Sequence, residues 1–145
     1  MELYTIGFAG KSAEEFFTSL VKHGVKKVID IRLNNVSQLA GFTRKNDLEY
    51  FLKVIANIDY EYLPQLAATK ELMDGYRGGK ISWEEYETAY LKLLEERQVL
   101  KTLKPGDFDR ACLLCSEDKP DRCHRRLAAE WLKGKWEGVN VTHIL

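Results

Sequence analysis

The chain has 145 residues, of which 45% are hydrophobic and 30% are charged. This length and balance are ordinary for one globular domain with its own core, and they exclude a mainly disordered chain. Lysine plus arginine and aspartate plus glutamate both total 22, so overall charge directs the protein neither to nucleic acid nor to an anionic membrane. We expect residues 1–145 to form a single domain.

The N-terminus and the cysteine content indicate the compartment. Residues 1–7 lack the basic start and long apolar run of a secretory signal, and no stretch approaches the ~20 apolar residues that span a bilayer. The three cysteines are an odd number without a secretory context, so we expect them to be reduced. We therefore predict a cytoplasmic protein that contacts no membrane.

Strand and helix patterns alternate along the chain. Short apolar or β-branched runs typical of strands lie at residues 3–7, 28–32, 59–63, 111–115 and 139–145. Three capping boxes predict helix starts between them, namely Ser12 with Glu15, Asn46 with Glu49, and Ser82 with Glu85. The last of these helices is predicted to run past Leu103 to Pro105, and a polar loop is predicted over residues 34–43.

Strands separated by helices favour a mostly parallel sheet of about five strands with helices on both faces. We therefore predict a three-layer, Rossmann-like α/β fold. The glycine-rich stretch from Gly75 to Lys80 lacks both the spacing and the preceding strand of a phosphate-binding loop. We predict no cofactor.

The stretch from Leu113 to Arg125 concentrates the reactive residue types of the chain. It leaves a buried strand at Cys115, crosses a polar loop that contains Glu117, and enters a helix whose predicted N-cap is Asp121. The first turn of a helix presents unpaired N–H groups and the positive end of its dipole. This strand-loop-helix is therefore the predicted site of chemistry.

The candidate catalytic residues all lie in this stretch. A helix N-terminus favours the thiolate, so it lowers the pKa of Cys123 most directly, and Cys115 is the other candidate nucleophile or redox thiol. His124 is able to move a proton. Glu117 is the candidate general acid or base.

Arg32 and Arg125 are the predicted anion-binding arginines, because each can hold a phosphate or an oxyanion. Asp30 and Arg32 are two residues apart on the second strand, so they share a face at its C-terminal end. Ligands of open α/β sheets bind at that edge. A local ion pair that closes the strand is the alternative explanation of the same two residues.

A purely structural role and a metal site both compete with catalysis as explanations of these residues. Cys115 can serve as a small core side chain, and Glu117 can pair with Arg125 or Arg126 to fix the loop. Zinc would need Cys112, Cys115, Cys123 and His124. Residues three apart on one strand point to opposite faces, so Cys112 and Cys115 cannot share an ion there, and we predict no metal.

Several motifs together resemble one family. They are Thr5-Ile6-Gly7, Val28-Ile29-Asp30-Ile31-Arg32, Tyr60-Glu61-Tyr62-Leu63-Pro64, Leu113-Leu114-Cys115-Ser116-Glu117 and Cys123-His124-Arg125. In this order they resemble the domain of unknown function family 488 from about residue 3 to residue 132. The resemblance implies a single-domain bacterial or archaeal α/β protein but no particular substrate.

The family's motif positions fall mostly on the candidate residues of the strand-loop-helix and of the second strand. They are Gly7, Asp30, Arg32, Cys115, Glu117, Cys123, His124 and Arg125. The resemblance thereby adds Gly7 and Asp30 to the predicted anion site. Many relatives carry His-Ser after the first motif, where this chain has Phe8-Ala9. A histidine at that position is therefore not essential here.

The preferred prediction is an enzyme, a thiol- or carboxylate-dependent hydrolase or transferase that acts on a small anionic substrate. A phosphate ester, a nucleotide or a nucleic-acid end would fit. The alternative is a module that binds nucleic acid or nucleotide without turnover. Its phosphate contacts would come from a local basic run consisting of Lys119, Arg122, Arg125, Arg126, Lys133 and Lys135.

Overall fold

A computed structural model describes residues 1–35, 41–117 and 119–145. It contains five strands, β1 (Glu2–Gly7), β2 (Lys27–Asp30), β3 (Asp59–Tyr62), β4 (Ala111–Cys115) and β5 (Asn140–Ile144). They form one sheet in the order β3-β2-β4-β1-β5, and every pairing is parallel. The predicted α/β fold with a parallel sheet is confirmed.

Helices cover both faces of the sheet. They are α1 (Ala13–Lys22), α2 (Lys45–Phe51), α3 (Lys70–Arg77), α4 (Trp83–Glu96) and α5 (His124–Lys135). The apolar sides of α1 and α2 pack with one face of the sheet in one core, while α4 and α5 pack with the other face in a second core. Within the described part of the chain, no helix is both long and apolar enough to cross a membrane.

Helix starts follow the capping pattern in two of the three predicted cases. Ser12 and Ser82 each form a reciprocal capping box at the starts of α1 and α4. The predicted box at Asn46 is wrong, because α2 already begins at Lys45. The Lys45 N–H donates to the Asn35 carbonyl at 2.7 Å. This tertiary hydrogen bond fixes the start of α2 before the predicted cap.

The end of α4 also differs from the prediction. The helix ends at Glu96 and not near Pro105, because Gln98 has a left-handed backbone with φ of 53°. Such a residue interrupts the i to i−4 hydrogen bonds of a helix. A single 3₁₀ turn, Val99–Lys101, follows. The loop predicted over residues 34–43 lies partly outside the described residues, because residues 36–40 are not among them.

The order of the strands decides what meets at the C-terminal edge of the sheet. β2 pairs directly with β4, so the segment after Asp30 lies beside the loop after Cys115. Along β4, Cys112 faces the core formed with α1 and α2, whereas Leu113 faces the opposite core. Cys115 therefore shares the face of Leu113, and Cys112 lies on the other side of the sheet.

Candidate active site

A cavity of about 740 Å³ opens at the C-terminal edge of β2 and β4. Its walls come from the segment after β2, from α3 and α4, and from the loop between β4 and α5. Five of the predicted site residues line it, namely Arg32, Cys115, Glu117, Cys123 and His124. The other three, Gly7, Asp30 and Arg125, are not among its lining residues.

Two thiols and an imidazole meet at the base of this cavity. The Sγ atoms of Cys115 and Cys123 and a ring nitrogen of His124 all lie within 4.8 Å of one another. Cys115 Sγ is 3.7 Å from His124 Nδ1. All three side chains are at least nine-tenths buried, so interactions among them are screened little by water.

The start of α5 places these groups, although not as predicted. Asp121 is not the N-cap; Cys123 occupies that position with an extended backbone, and α5 begins at His124. The Asp121 carbonyl instead accepts from Arg126 Nε at 3.2 Å. Because Cys123 lies at the cap, its side chain and that of His124 both reach Cys115 at the end of the neighbouring strand.

A backbone contact from the segment after β2 orients the imidazole. His124 Nε2 lies 2.8 Å from the carbonyl oxygen of Ile31. A carbonyl only accepts, so Nε2 carries the hydrogen and Nδ1 faces the Cys115 sulfur. The ring is thus fixed in the orientation in which it can exchange a proton with Cys115.

The contacts of the two thiols shift their pKa values in opposite directions. A hydrogen bond from the Cys123 thiol, the positive charge of His124 and the Glu117 backbone N–H hold the pKa of Cys115 well below that of an ordinary thiol, against the effect of burial. The same hydrogen bond, together with burial, raises the pKa of Cys123. The sequence favours Cys123 as the thiol with the lowered pKa, whereas the contacts assign that role to Cys115.

The pKa of the neighbouring His124 is shifted upward. Burial acts against a charged imidazole, but the charge of Cys115, its hydrogen bond and the Ile31 carbonyl together raise the pKa of His124. These shifts favour a thiolate on Cys115 and an imidazolium on His124, with Cys123 as the neutral thiol. Such a pair supplies both a nucleophile and a proton donor.

Arg32 is a buried cation, and one nitrogen of its guanidinium has no hydrogen-bond partner among the described residues. Its Nε and Nη2 donate to the two carboxylate oxygens of Asp30 at 2.9 and 2.8 Å. Among the described residues Nη1 has no hydrogen-bond partner, although the side chain is only 2% exposed. The guanidinium also lies 5.6 Å from the ring centroid of Phe8. Phe8 thus packs against the guanidinium of Arg32.

Arg125 has a different environment from the one predicted. It is fully buried and donates to the backbone carbonyl of Glu117 and, from Nε, to Thr5 Oγ1 at 3.4 Å. Gly7 lies directly against this contact, since an added Cβ would overlap the Glu117 carbonyl. Arg125 and Gly7 therefore fix the β4–α5 loop behind the cavity.

The carboxylate of Glu117 lies at the mouth of the cavity. Its side chain is 55% exposed and lies 4.0 Å from Arg77 at the end of α3. It does not pair with Arg126, which contacts Glu130 at 3.0 Å. This position is compatible with proton exchange between the cavity and solvent.

The thiol-imidazole cluster also contains the donor atoms of a soft metal site. Cys115, Cys123 and His124 offer three ligands close enough for one ion, and no fourth His, Cys, Asp or Glu joins them among residues 1–35, 41–117 and 119–145. Zinc sites with three protein ligands complete a tetrahedron with water or substrate. Cys112 cannot contribute, because it faces the opposite core.

The wall of the cavity formed by α3 and α4 is absent from the sequence-based prediction. Lys70, Met73, Asp74 and Arg77 line it from α3. Their spacing of i, i+3, i+4 and i+7 puts them on one helix face and is the signal that could have found them. The aromatic pattern at the start of α4 predicts core residues, but Trp83 and Tyr86 also line the cavity.

The sequence model of the family described as Domain of unknown function DUF488 matches residues 12–132. The chain belongs to this family. The DUF488 match covers the helices α1 to α4 and most of α5, and it includes every residue that lines the cavity. Comparisons with curated proteins and with solved structures gave no match.

The lowered pKa of Cys115 predicts an unusual pH dependence of alkylation. We expect the rate constant for iodoacetamide at Cys115 to change less with pH between about pH 6 and 8 than that of an ordinary thiol, because the lowered pKa leaves more of Cys115 as thiolate. The rate should fall only as acid protonates Cys115. The alkylation rate of an ordinary thiol with a pKa of about 8.5 would fall nearly tenfold for each unit by which the pH is lowered over this range.

The measurement is quantitative mass spectrometry of the tryptic peptide 111–122, with fragmentation to separate Cys115 from Cys112. Cys112 is the internal control, since burial raises its pKa and it should react only after denaturation. A slope of one in the logarithm of the Cys115 rate against pH would contradict the thiolate-imidazolium pair.

Proposed function

We propose that this protein is a cytoplasmic, thiol-dependent hydrolase or transferase acting on a small anionic substrate. The observation that carries the proposal is the position of Cys115, whose sulfur lies at the base of a cavity and contacts both His124 and Cys123. A buried thiolate without a chemical role would be a costly feature for a core to retain. A thiol with an imidazole in contact with its sulfur is the arrangement of an activated nucleophile.

The chemistry follows from the groups around Cys115. The thiolate attacks an electrophilic carbon or phosphorus of the substrate and forms a bond to it, and the bond to the leaving group breaks. His124 donates its proton to the departing oxygen, since Nδ1 faces the reacting sulfur. Water or another acceptor then attacks the covalent intermediate, gives up a proton to His124, and releases the thiolate.

Cations around the cavity support an anionic substrate. Arg32 offers a buried Nη1 without a partner among the described residues, and such a donor is stabilised by accepting oxygens of a ligand. Arg77 and Arg122 line the same cavity nearer to solvent. An anion bound there would lie in the same cavity as the nucleophile, and binding both in one cavity favours attack within the complex.

A pair of alkylating reagents tests the anion site and the nucleophile together. Iodoacetate carries a carboxylate and iodoacetamide does not. We expect Cys115 to react with iodoacetate at a rate that saturates with concentration and that inorganic phosphate slows competitively, while the iodoacetamide reaction should not saturate. Arg32→Gln should abolish the saturation. Linear iodoacetate kinetics without protection by phosphate would remove the anion site.

Turnover is tested with activated esters, p-nitrophenyl phosphate and p-nitrophenyl acetate. A covalent thiol mechanism predicts a burst of p-nitrophenol close to one equivalent per chain. Cys115→Ser should lose the burst, and Cys112→Ala should keep it because that side chain lies on the other side of the sheet. Phosphate protection without a burst on either ester would favour a binding module over an enzyme.

The nucleic-acid alternative has less support from the basic run. Arg125 is fully buried, so it cannot reach a phosphate backbone. Arg126 is engaged by the Asp121 carbonyl and by Glu130. The run therefore does not present a continuous basic surface. Binding that weakens steeply with salt would restore this alternative.

A further inference from the structure

Two of the three cysteines come from different elements but meet at one point. Cys115 ends β4 and Cys123 caps α5, and their sulfurs are at most 4.8 Å apart. Both are free thiols. A disulfide holds its sulfurs at about 2.05 Å, so the two sulfurs have to approach by less than about 3 Å to form one.

We propose that Cys115 and Cys123 form a reversible intramolecular disulfide when a peroxide oxidises the site. This modification goes beyond the proposed hydrolase or transferase reaction and does not depend on it. It needs the two thiols and a small oxidant that enters the cavity, which both residues line.

The two thiols have different roles in the oxidation. The Cys115 thiolate attacks one peroxide oxygen, the O–O bond breaks, and the leaving alkoxide or hydroxide takes a proton from His124. Cys115 is then a sulfenic acid. The Cys123 sulfur attacks Cys115 Sγ, the S–O bond breaks, and the hydroxide leaves as water with the thiol proton. Two thiols have lost two electrons, and the peroxide has become an alcohol or water plus one further water.

The surroundings favour this order of events. Cys115 has His124 Nδ1 at 3.7 Å to protonate the leaving group. Cys123 Sγ lies within 4.8 Å of Cys115 Sγ, close enough to trap the sulfenic acid before a second peroxide does. Arg125 Nη1 lies 3.8 Å from Cys123 Sγ and stabilises the negative charge that this sulfur develops as it attacks.

Cys112 is separated from the pair by the sheet itself. It is fully buried in the core formed with α1 and α2, and burial raises its pKa. It should remain a thiol when the other two are oxidised. The chain thus carries its own reference cysteine for the experiment.

The test uses the full chain, reduced and treated with a chelator, and then exposed to one equivalent of hydrogen peroxide at neutral pH. We expect the thiol count after denaturation to fall from three to one and the mass to fall by about 2 Da. Trypsin without reductant should release residues 111–122 linked to residues 123–125, with the link at Cys115. Dithiothreitol should restore all three thiols.

Two variants sharpen the result. Cys112→Ala should form the same link with the same yield. Cys123→Ser lacks the trapping thiol, so with two or more equivalents of hydrogen peroxide Cys115 should consume two of them and go on to the sulfinic acid, a gain of about 32 Da. If Cys123→Ser does not fold, the peptide map of the unmodified chain decides alone. Sulfinic acid on Cys115 with Cys123 still free in that chain would overturn the proposal, as would links between chains or to Cys112.

The readout is a mass and not a rate of turnover. If the protein turned over neither ester and bound no anion, the peptide map could still show the link between Cys115 and Cys123. Conversely, a chain that turns over esters but forms no link would lose only the disulfide. The two proposals can therefore fail separately.

Discussion

Gly7→Ala is expected to lower the free energy of unfolding by about 3 kcal/mol or more. An added Cβ would overlap the backbone carbonyl of Glu117 and lie 2.6 Å from Arg125 Nη1. Neither group can withdraw easily, because Arg125 is fully buried and itself holds the Glu117 carbonyl. The methyl group therefore has to displace the β4–α5 loop from the end of β1. Urea unfolding followed by circular dichroism measures the loss.

Gly134→Ala is the matched control. Gly134 lies inside α5, and an added Cβ meets no atom within 4 Å. Alanine is the better helix former by about 0.5–1 kcal/mol, so this variant should be slightly more stable than the original chain. Equal stability of Gly7→Ala and the original chain would mean that the loop does not pack against Gly7 as described.

Asp30→Asn is expected to destabilise the fold by about 3–5 kcal/mol, because it leaves a buried guanidinium without its counter-charge. Asp30 is fully buried and accepts two hydrogen bonds from the Arg32 side chain and one from Tyr60 Oη at 2.6 Å. An amide offers one acceptor oxygen where the carboxylate offers two. Arg32 would then lose both charge compensation and a hydrogen bond. Urea unfolding measures this change as well.

Two further variants separate pairing from burial. Asp59→Asn removes the same kind of group from an exposed pair with Lys53 and should cost less than about 0.5 kcal/mol. The double change Asp30→Leu with Arg32→Met removes both buried charges, so it should recover much of the stability lost by Asp30→Asn. It should not recover phosphate protection of Cys115. A single Asp30→Asn variant as stable as the original would show that Arg32 reaches water.

Much of the fold can be predicted from the sequence, because hydrophobic periodicity and helix caps depend on residues that are close together in the chain. The strands, the parallel sheet and the capping boxes at Ser12 and Ser82 follow from residues near in sequence. The errors lie where a distant contact competes with a local preference or where one residue breaks a helical pattern. The Asn35 carbonyl starts α2 early, and the left-handed Gln98 ends α4 early.

The candidate site also has a part that the sequence predicts and a part that depends on contacts between distant residues. Cys115 and His124 were identifiable because a strand end and a helix start lie nine residues apart in the chain. Arg32 lies at the same edge of the sheet because β2 pairs with β4. Local sequence does not encode that pairing. The opposite pKa shifts of Cys115 and Cys123 depend on contacts that form only in the folded chain. Arg125 likewise donates a hydrogen bond to Thr5, which lies 120 residues away in the chain, so local sequence does not predict its buried position.

Helix α3 forms one wall of the cavity and contains no fully buried residue. Its apolar side chains are only partly buried against the core, and its last turn reaches the opposite wall through the 4.0 Å contact between Arg77 and Glu117. A segment with so little buried surface opens by local unfolding at a lower free energy than the sheet. We therefore expect local opening of α3 to widen the access to Cys115, while the sheet keeps the nucleophile in place.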